Sequence, residues 1–225
     1  MSDQPTIAEI DRDDAVGEAL DGLQGATRGA LLRRAGLIAG AGAAATLLPT
    51  GLTSVAGARS GGTKANDVKI LNFALTLEYL EAAFYAEAIA KGKLTGTVLR
   101  FAEVVGSHEA AHVAALKGVL GSKAVSTPSF DFKGTTGSWK TFLATSQVLE
   151  DTGVAAYQGQ APLIHQNAVL ASAGAILAVE ARHASWVRDL RGAGKAPSPA
   201  PEAFSTAMTM SDVLTAVGKT GFITS

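Results

Sequence analysis

The chain has 225 residues, 19 basic and 20 acidic, and no cysteine. It is long enough to bury a sizeable core. The near-neutral balance argues against a nucleic-acid partner, and the lack of cysteine excludes disulfides, thiolate metal sites and thiol redox chemistry. Aromatic residues make up only 6% and alanine and leucine are abundant, which favours packed helices over sheets.

Residues 1–26 are polar and acidic and read as a flexible leader. Next come Arg28, Arg33 and Arg34, a Gly/Ala/Leu run from Ala35 to Leu48, Pro49, and the small-residue pair Ala56 and Ala58. A basic region, an apolar segment and such a cleavage site make an export signal. The paired arginines give it a twin-arginine character, which predicts delivery of the folded protein to the periplasm or cell envelope. Gly29 or Gly36, depending on the register, departs from that pattern. The competing reading is an uncleaved membrane anchor, since Ala35 to Thr53 approaches a spanning length. Residues 1–58 are thus leader and signal, and 59–64 a linker.

The first predicted helix runs from about Ala65 to Lys91, with Leu71, Leu75, Glu78, Ala82 and Tyr85 at helical spacing and Gly92 as its stop. The second runs from about Thr97 to Leu120 and ends at Gly121. Residues 122–137 carry Pro128, Gly134 and Gly137 and predict an irregular connection, too long to join adjacent helices and suited to a crossover along a bundle. Phe130, Phe132 and Trp139 would tack it down. A third helix spans about Ser138 to Gln160, and a fourth runs from about Ile164 or Gln166 to Arg191. The Pro-rich tail, 193–225, holds a short helix near Ser211 to Val217. Two helix pairs joined by a long crossover give an all-α four-helix bundle over 65–192.

The informative pattern is a repeat. Glu109-Ala-Ala-His112 and Glu180-Ala-Arg-His183 are both Glu-x-x-His, and each follows a lone glutamate, Glu78 or Glu150, at 31 or 30 residues. Each lone glutamate is followed seven residues later by a tyrosine, Tyr85 or Tyr157. Residues i and i+3 share one helix face, so each motif points a carboxylate and an imidazole the same way. Four glutamates and two histidines converging in a bundle are what a two-metal carboxylate site requires. By symmetry Glu109 and Glu180 bridge the ions, Glu78 and Glu150 are terminal ligands, and His112 and His183 complete one ion each. The four glutamates would carry the chemistry, and Tyr85 and Tyr157 would hydrogen-bond ligand carboxylates.

Glu81 competes with Glu78, but its counterpart in the second half is Gly153, so the repeat sets it outside the ligand set, beside the site or on the surface. His108 points about 100° from Glu109 on its helix, and His165 has no matching glutamate, so both are set aside. Asp151 and Asp189 read as solvated. A polar hydrogen-bonded network without metal is the competing reading for the whole pattern.

At these residues the chain resembles the ferritin-like superfamily, in particular ferritin-like domain proteins related to desiccation-related proteins. Residues 71–85 resemble that family's first helix, 149–157 its third and 179–184 its fourth. The resemblance implies a ferritin-like bundle and a dimetal centre. It leaves activity open, because the superfamily includes ferroxidases, peroxide-reducing rubrerythrins, manganese catalases and oxygenases. Rubrerythrins proper also carry a cysteine-ligated iron module, which this chain lacks. Oxygen and imidazole ligands suit iron or manganese. The expectation is therefore two Fe ions, or Mn or mixed Fe/Mn, acting on oxygen or peroxide, with Fe(II) oxidation in oxidative-stress defence as the first reading. A manganese catalase-like activity and a non-catalytic stress protein are the alternatives. A homodimer is expected by analogy only.

Overall fold

The computed structural model describes residues 63–192 and 199–224. The expected leader and export signal lie outside the described residues. The helices are α1 (Lys64–Ala90), α2 (Gly96–Leu120), α3 (Trp139–Gln160), α4 (Asn167–Gly192) and α5 (Met210–Thr220). Among the described residues there is no strand, only an isolated bridge between Phe130 and Ile223. No described helix is long and apolar enough to cross a membrane.

Four of the five described helices, all but α2, begin where a side chain satisfies open backbone amides. The Thr63 hydroxyl accepts from the Asn66 amide at 3.1 Å, so the expected linker already ends at Thr63. The Ser138 and Thr209 hydroxyls cap α3 and α5 in the same way. The start of α4 is capped from elsewhere: the fully buried Asp67 carboxylate of α1 accepts the backbone amides of His165 at 2.7 Å and Gln166 at 2.9 Å. Burial pushes the Asp67 carboxyl up, but these bonds outweigh it and hold it below its usual value.

Helix α1 pairs chiefly with α2, and α3 with α4. The crossover leaves α2 through Asn72, whose side chain bonds the Lys123 carbonyl and the Val125 amide. It then inserts Phe132 against Phe84 and Phe222. Trp139 does not help to tack it down: the ring is 51% exposed, with the Lys140 ammonium 5.5 Å from its centroid. The tail returns along α3, where the Met208 amide bonds the Ala155 carbonyl at 3.0 Å. A side chain at Gly159 would collide with the Met208 carbonyl, so only glycine permits that approach. Helix α5 buries Val213 and Val217 against the bundle.

The apolar interior is divided. One cluster gathers Phe84, Phe101, Phe142 and Val187, and the other Ile70, Leu116, Val169 and Ile176. On α2 and α4 the Glu-x-x-His turns fall between the residues of the two clusters, leaving a polar layer inside an otherwise dry bundle.

Candidate metal centre

All four glutamates of the repeat are fully buried, His183 is 2% exposed and His112 9%. Burying four carboxylates is costly unless something compensates their charge. In this protein the two imidazoles face them. His112 Nδ1 lies 3.2 Å from Glu78, 3.1 Å from Glu109 and 3.1 Å from Glu180. His183 Nδ1 lies 3.0 Å from Glu109, 3.2 Å from Glu150 and 3.7 Å from Glu180. Two groups of four potential ligands result, Glu78–Glu109–His112–Glu180 and Glu109–Glu150–Glu180–His183, with Glu109 and Glu180 in both.

The donor atoms within each group all lie within 4.8 Å of one another. Among the described residues, the buried side-chain atoms without a hydrogen-bond partner are Glu109 Oε1, Glu150 Oε2, both Glu180 oxygens and His183 Nδ1. Every one of them belongs to this cluster. Native interiors rarely leave such atoms unpaired. A set of unpaired oxygens and an imidazole nitrogen aimed at one another fits divalent cations.

The tyrosines cross between halves. Tyr157 of α3 donates to Glu78 Oε1 of α1 at 2.5 Å, and Tyr85 of α1 donates to Glu150 Oε1 of α3. Each tyrosine follows one glutamate in sequence but orients the other. Helical spacing within one chain segment does not reveal that exchange, because it depends on how α1 and α3 pack.

Two residues set aside in the sequence reading join the site. Glu81 is 3% exposed, not on the surface. Its Oε1 lies 3.5 Å from where a Cβ on Gly153 would stand, and Glu180 Oε2 lies 3.5 Å from the same point. Glu81 and Glu180 thus flank position 153, at distances that a methyl group there would meet in ordinary van der Waals contact. His108 Nδ1 lies 2.8 Å from His183 Nε2, and the two rings stack with centroids 5.1 Å apart. His108 does point away from Glu109, but that flank of α2 faces α4. It thus supplies the partner that a ligating histidine needs on its second nitrogen. Asp151 pairs with Arg188 of α4, and Asp189 and His165 are exposed.

The electrostatics follow from burial opposed by pairing. Burial would lower His112 and His183, but the carboxylates around them win and raise them to about 12 and about 11. Burial would raise Glu109, yet the imidazoles of His112 and His183 beside it hold it down to about 2. Burial prevails at Glu150, pushed up to about 8, and at Glu78 and Glu81, pushed well above the usual carboxylate range. The metal-free centre therefore stores protons on carboxylates and imidazoles alike, and cations would displace them.

A family described as ferritin-like domain matches residues 66–193. The chain belongs to the ferritin-like domain family. No curated protein matches it. The family match covers the four long helices and the whole buried cluster, so the ferritin-like fold and the Glu/His layer coincide in sequence range.

Proposed function

We propose that this ferritin-like protein holds two iron ions, or iron with manganese, and oxidises Fe(II) with oxygen or peroxide as a defence against oxidative stress. The observation that carries the reading is the set of buried, unpaired donor atoms, all within two ligand groups that share two carboxylates. Glu109 and Glu180 would bridge, Glu78 and His112 would complete one position, and Glu150 and His183 the other. Donors of oxygen and imidazole nitrogen, without thiolate, suit iron and manganese. Bound there, the ions would supply redox equivalents and a Lewis-acidic surface to the oxidant.

The protein's own part is positioning and exclusion. Tyr85 and Tyr157 hold Glu150 and Glu78 by their distal oxygens. The two apolar clusters keep water from both ends of the layer. Glu81 is buried beside Glu180, and burial together with the surrounding carboxylates pushes its carboxyl well above the usual range.

Metal analysis of protein taken from its native compartment tests the reading. Two iron or manganese ions per chain are expected, lost in Glu109→Ala, together with oxygen consumption on adding Fe(II). Oxygen release from peroxide would favour the manganese catalase-like alternative. Absence of stoichiometric metal would leave a non-catalytic stress protein. We place the protein in the periplasm or envelope on the strength of Arg33-Arg34 and Ala56-x-Ala58; amino-terminal sequencing of the fractionated protein should begin after Ala58.

A further inference from the structure

The two halves of the repeat match at their ligands but not in volume. Residues of α1 align with α3 at an offset of 72, as Tyr85 with Tyr157, and those of α2 with α4 at an offset of 71, as Glu109 with Glu180. Around Tyr85 three phenyl rings close the space, with Phe84, Phe101 and Phe142 at centroid distances of 5.5, 5.9 and 5.7 Å. The same offsets carry Phe84 to Ala156, Phe101 to Ser172 and Phe142 back to Ile70. Where one half has three rings, the other has a methyl, a hydroxymethyl and a branched alkyl group.

All three replacements line one cavity of about 150 Å³, with Tyr157 also in its wall. Exposed Ala115, Val119 and Ser172 mark its mouth between α2 and α4. The lining is almost wholly hydrocarbon, and the Tyr157 hydroxyl proton is already committed to Glu78. Close-packed interiors keep few voids larger than a water molecule. Apolar cavities of roughly this size, about 150 Å³, stay dry and accept benzene or xenon. A polar or charged guest would lose its hydration with few partners in return.

We propose that this cavity binds a compact, uncharged hydrocarbon of about benzene's size, seated against the Tyr157 ring. The occupant stands where the other half keeps its own phenyl rings. Its seat lies one hydrogen bond from Glu78, so any influence on oxidation rests on the dimetal reading, whereas the binding itself does not.

Benzene titration by calorimetry and xenon titration by ¹²⁹Xe NMR test this on the full chain. Saturable binding of one benzene per chain is expected, with and without metal. Ala156→Phe and Ser172→Phe each install the ring of the other half and should weaken benzene at least tenfold at unchanged helical content. Should Ala156→Phe fail to fold, Ser172→Phe at the exposed rim carries the test. Glu109→Ala should lose metal yet keep benzene binding, whereas an unaltered chain that binds benzene but no metal would overturn the dimetal reading alone. No saturable binding, or equal binding in the filled variants, overturns the proposal. Binding that vanishes as the protein self-associates would assign the mouth to a second copy and overturn it too.

Discussion

The half formed by α1 and α2 and the half formed by α3 and α4 each present two glutamates and one histidine, yet they are not equivalent around them. The first half carries Glu81 and His108, where the second has Gly153 and Val179. Both additions face the second half: Glu81 lies beside Gly153 and Glu180, and His108 backs His183. The apolar surroundings diverge in the opposite sense, with rings packed on Tyr85 and a cavity beside Tyr157. A duplicated ligand set has thus been kept symmetric while its surroundings specialised. Two ions held there would sit in unlike environments, one backed by His108 and one nearer the cavity.

The shared glutamates offer the largest test of that picture. Removing one carboxylate common to both groups, as in Glu109→Ala, should lower bound metal from two ions to none. His183→Ala should spare the Glu78–His112 position and leave one, read by metal analysis after anaerobic loading. Equal losses in both variants would mean that the halves do not act separately.

Proton linkage should have the next largest effect. Glu150 rises from 4.5 to about 8, and His183 and His112 rise from 6.5 to about 11 and about 12. A group raised on folding contributes stability below its unfolded value and loses it as pH climbs through its folded value. The metal-free protein should therefore lose stability from about pH 4.5 through pH 8 and beyond, by on the order of 5 kcal/mol for Glu150 at about 1.4 kcal/mol per pH unit. Glu109 is depressed to about 2, so its contribution is lost only as pH falls below about 4.5. Metal displaces the protons and should remove the alkaline slope. Urea melts at several pH values, with and without metal, would check this.

Tyr85→Ala and Tyr157→Ala compare the two surroundings directly. Both leave a buried carboxylate oxygen without its donor, a cost of about 1–3 kcal/mol. Tyr85→Ala opens its void among close-packed rings, whereas Tyr157→Ala enlarges a cavity already open at its mouth, so the Tyr85 total should reach about 3–5 kcal/mol and exceed that of Tyr157→Ala, in thermal melts. The smallest effect should come from His108→Ala, which should weaken the His183 position about 10–100-fold while leaving the His112 position unchanged. Calorimetric metal titration resolves the two.

Much of the centre was legible because each Glu-x-x-His lies within one helical turn, and the repeat selected Glu78 and Glu150 from the other acids. The four helices were legible from helical spacing and from the stops at Gly92 and Gly121, to within about three residues. What escaped depended on contacts between helices. Glu81 was set aside because Gly153 matched it, yet its carboxyl packs beside that very position. His108 was judged by its direction on α2, with no knowledge that α4 lay there. Asp67 caps a helix 98 residues away, as its bond to His165 shows, and no local pattern announces such a cap. Trp139 reads as an anchor by type, but at the first position of α3 it faces solvent.

Anaerobic titration of the metal-free protein with Fe(II), followed by calorimetry and metal analysis, tests the central claim most directly. The account predicts saturation at two ions per chain with release of protons, abolished by Glu109→Ala. Failure to bind, or binding indifferent to Glu109, would contradict it.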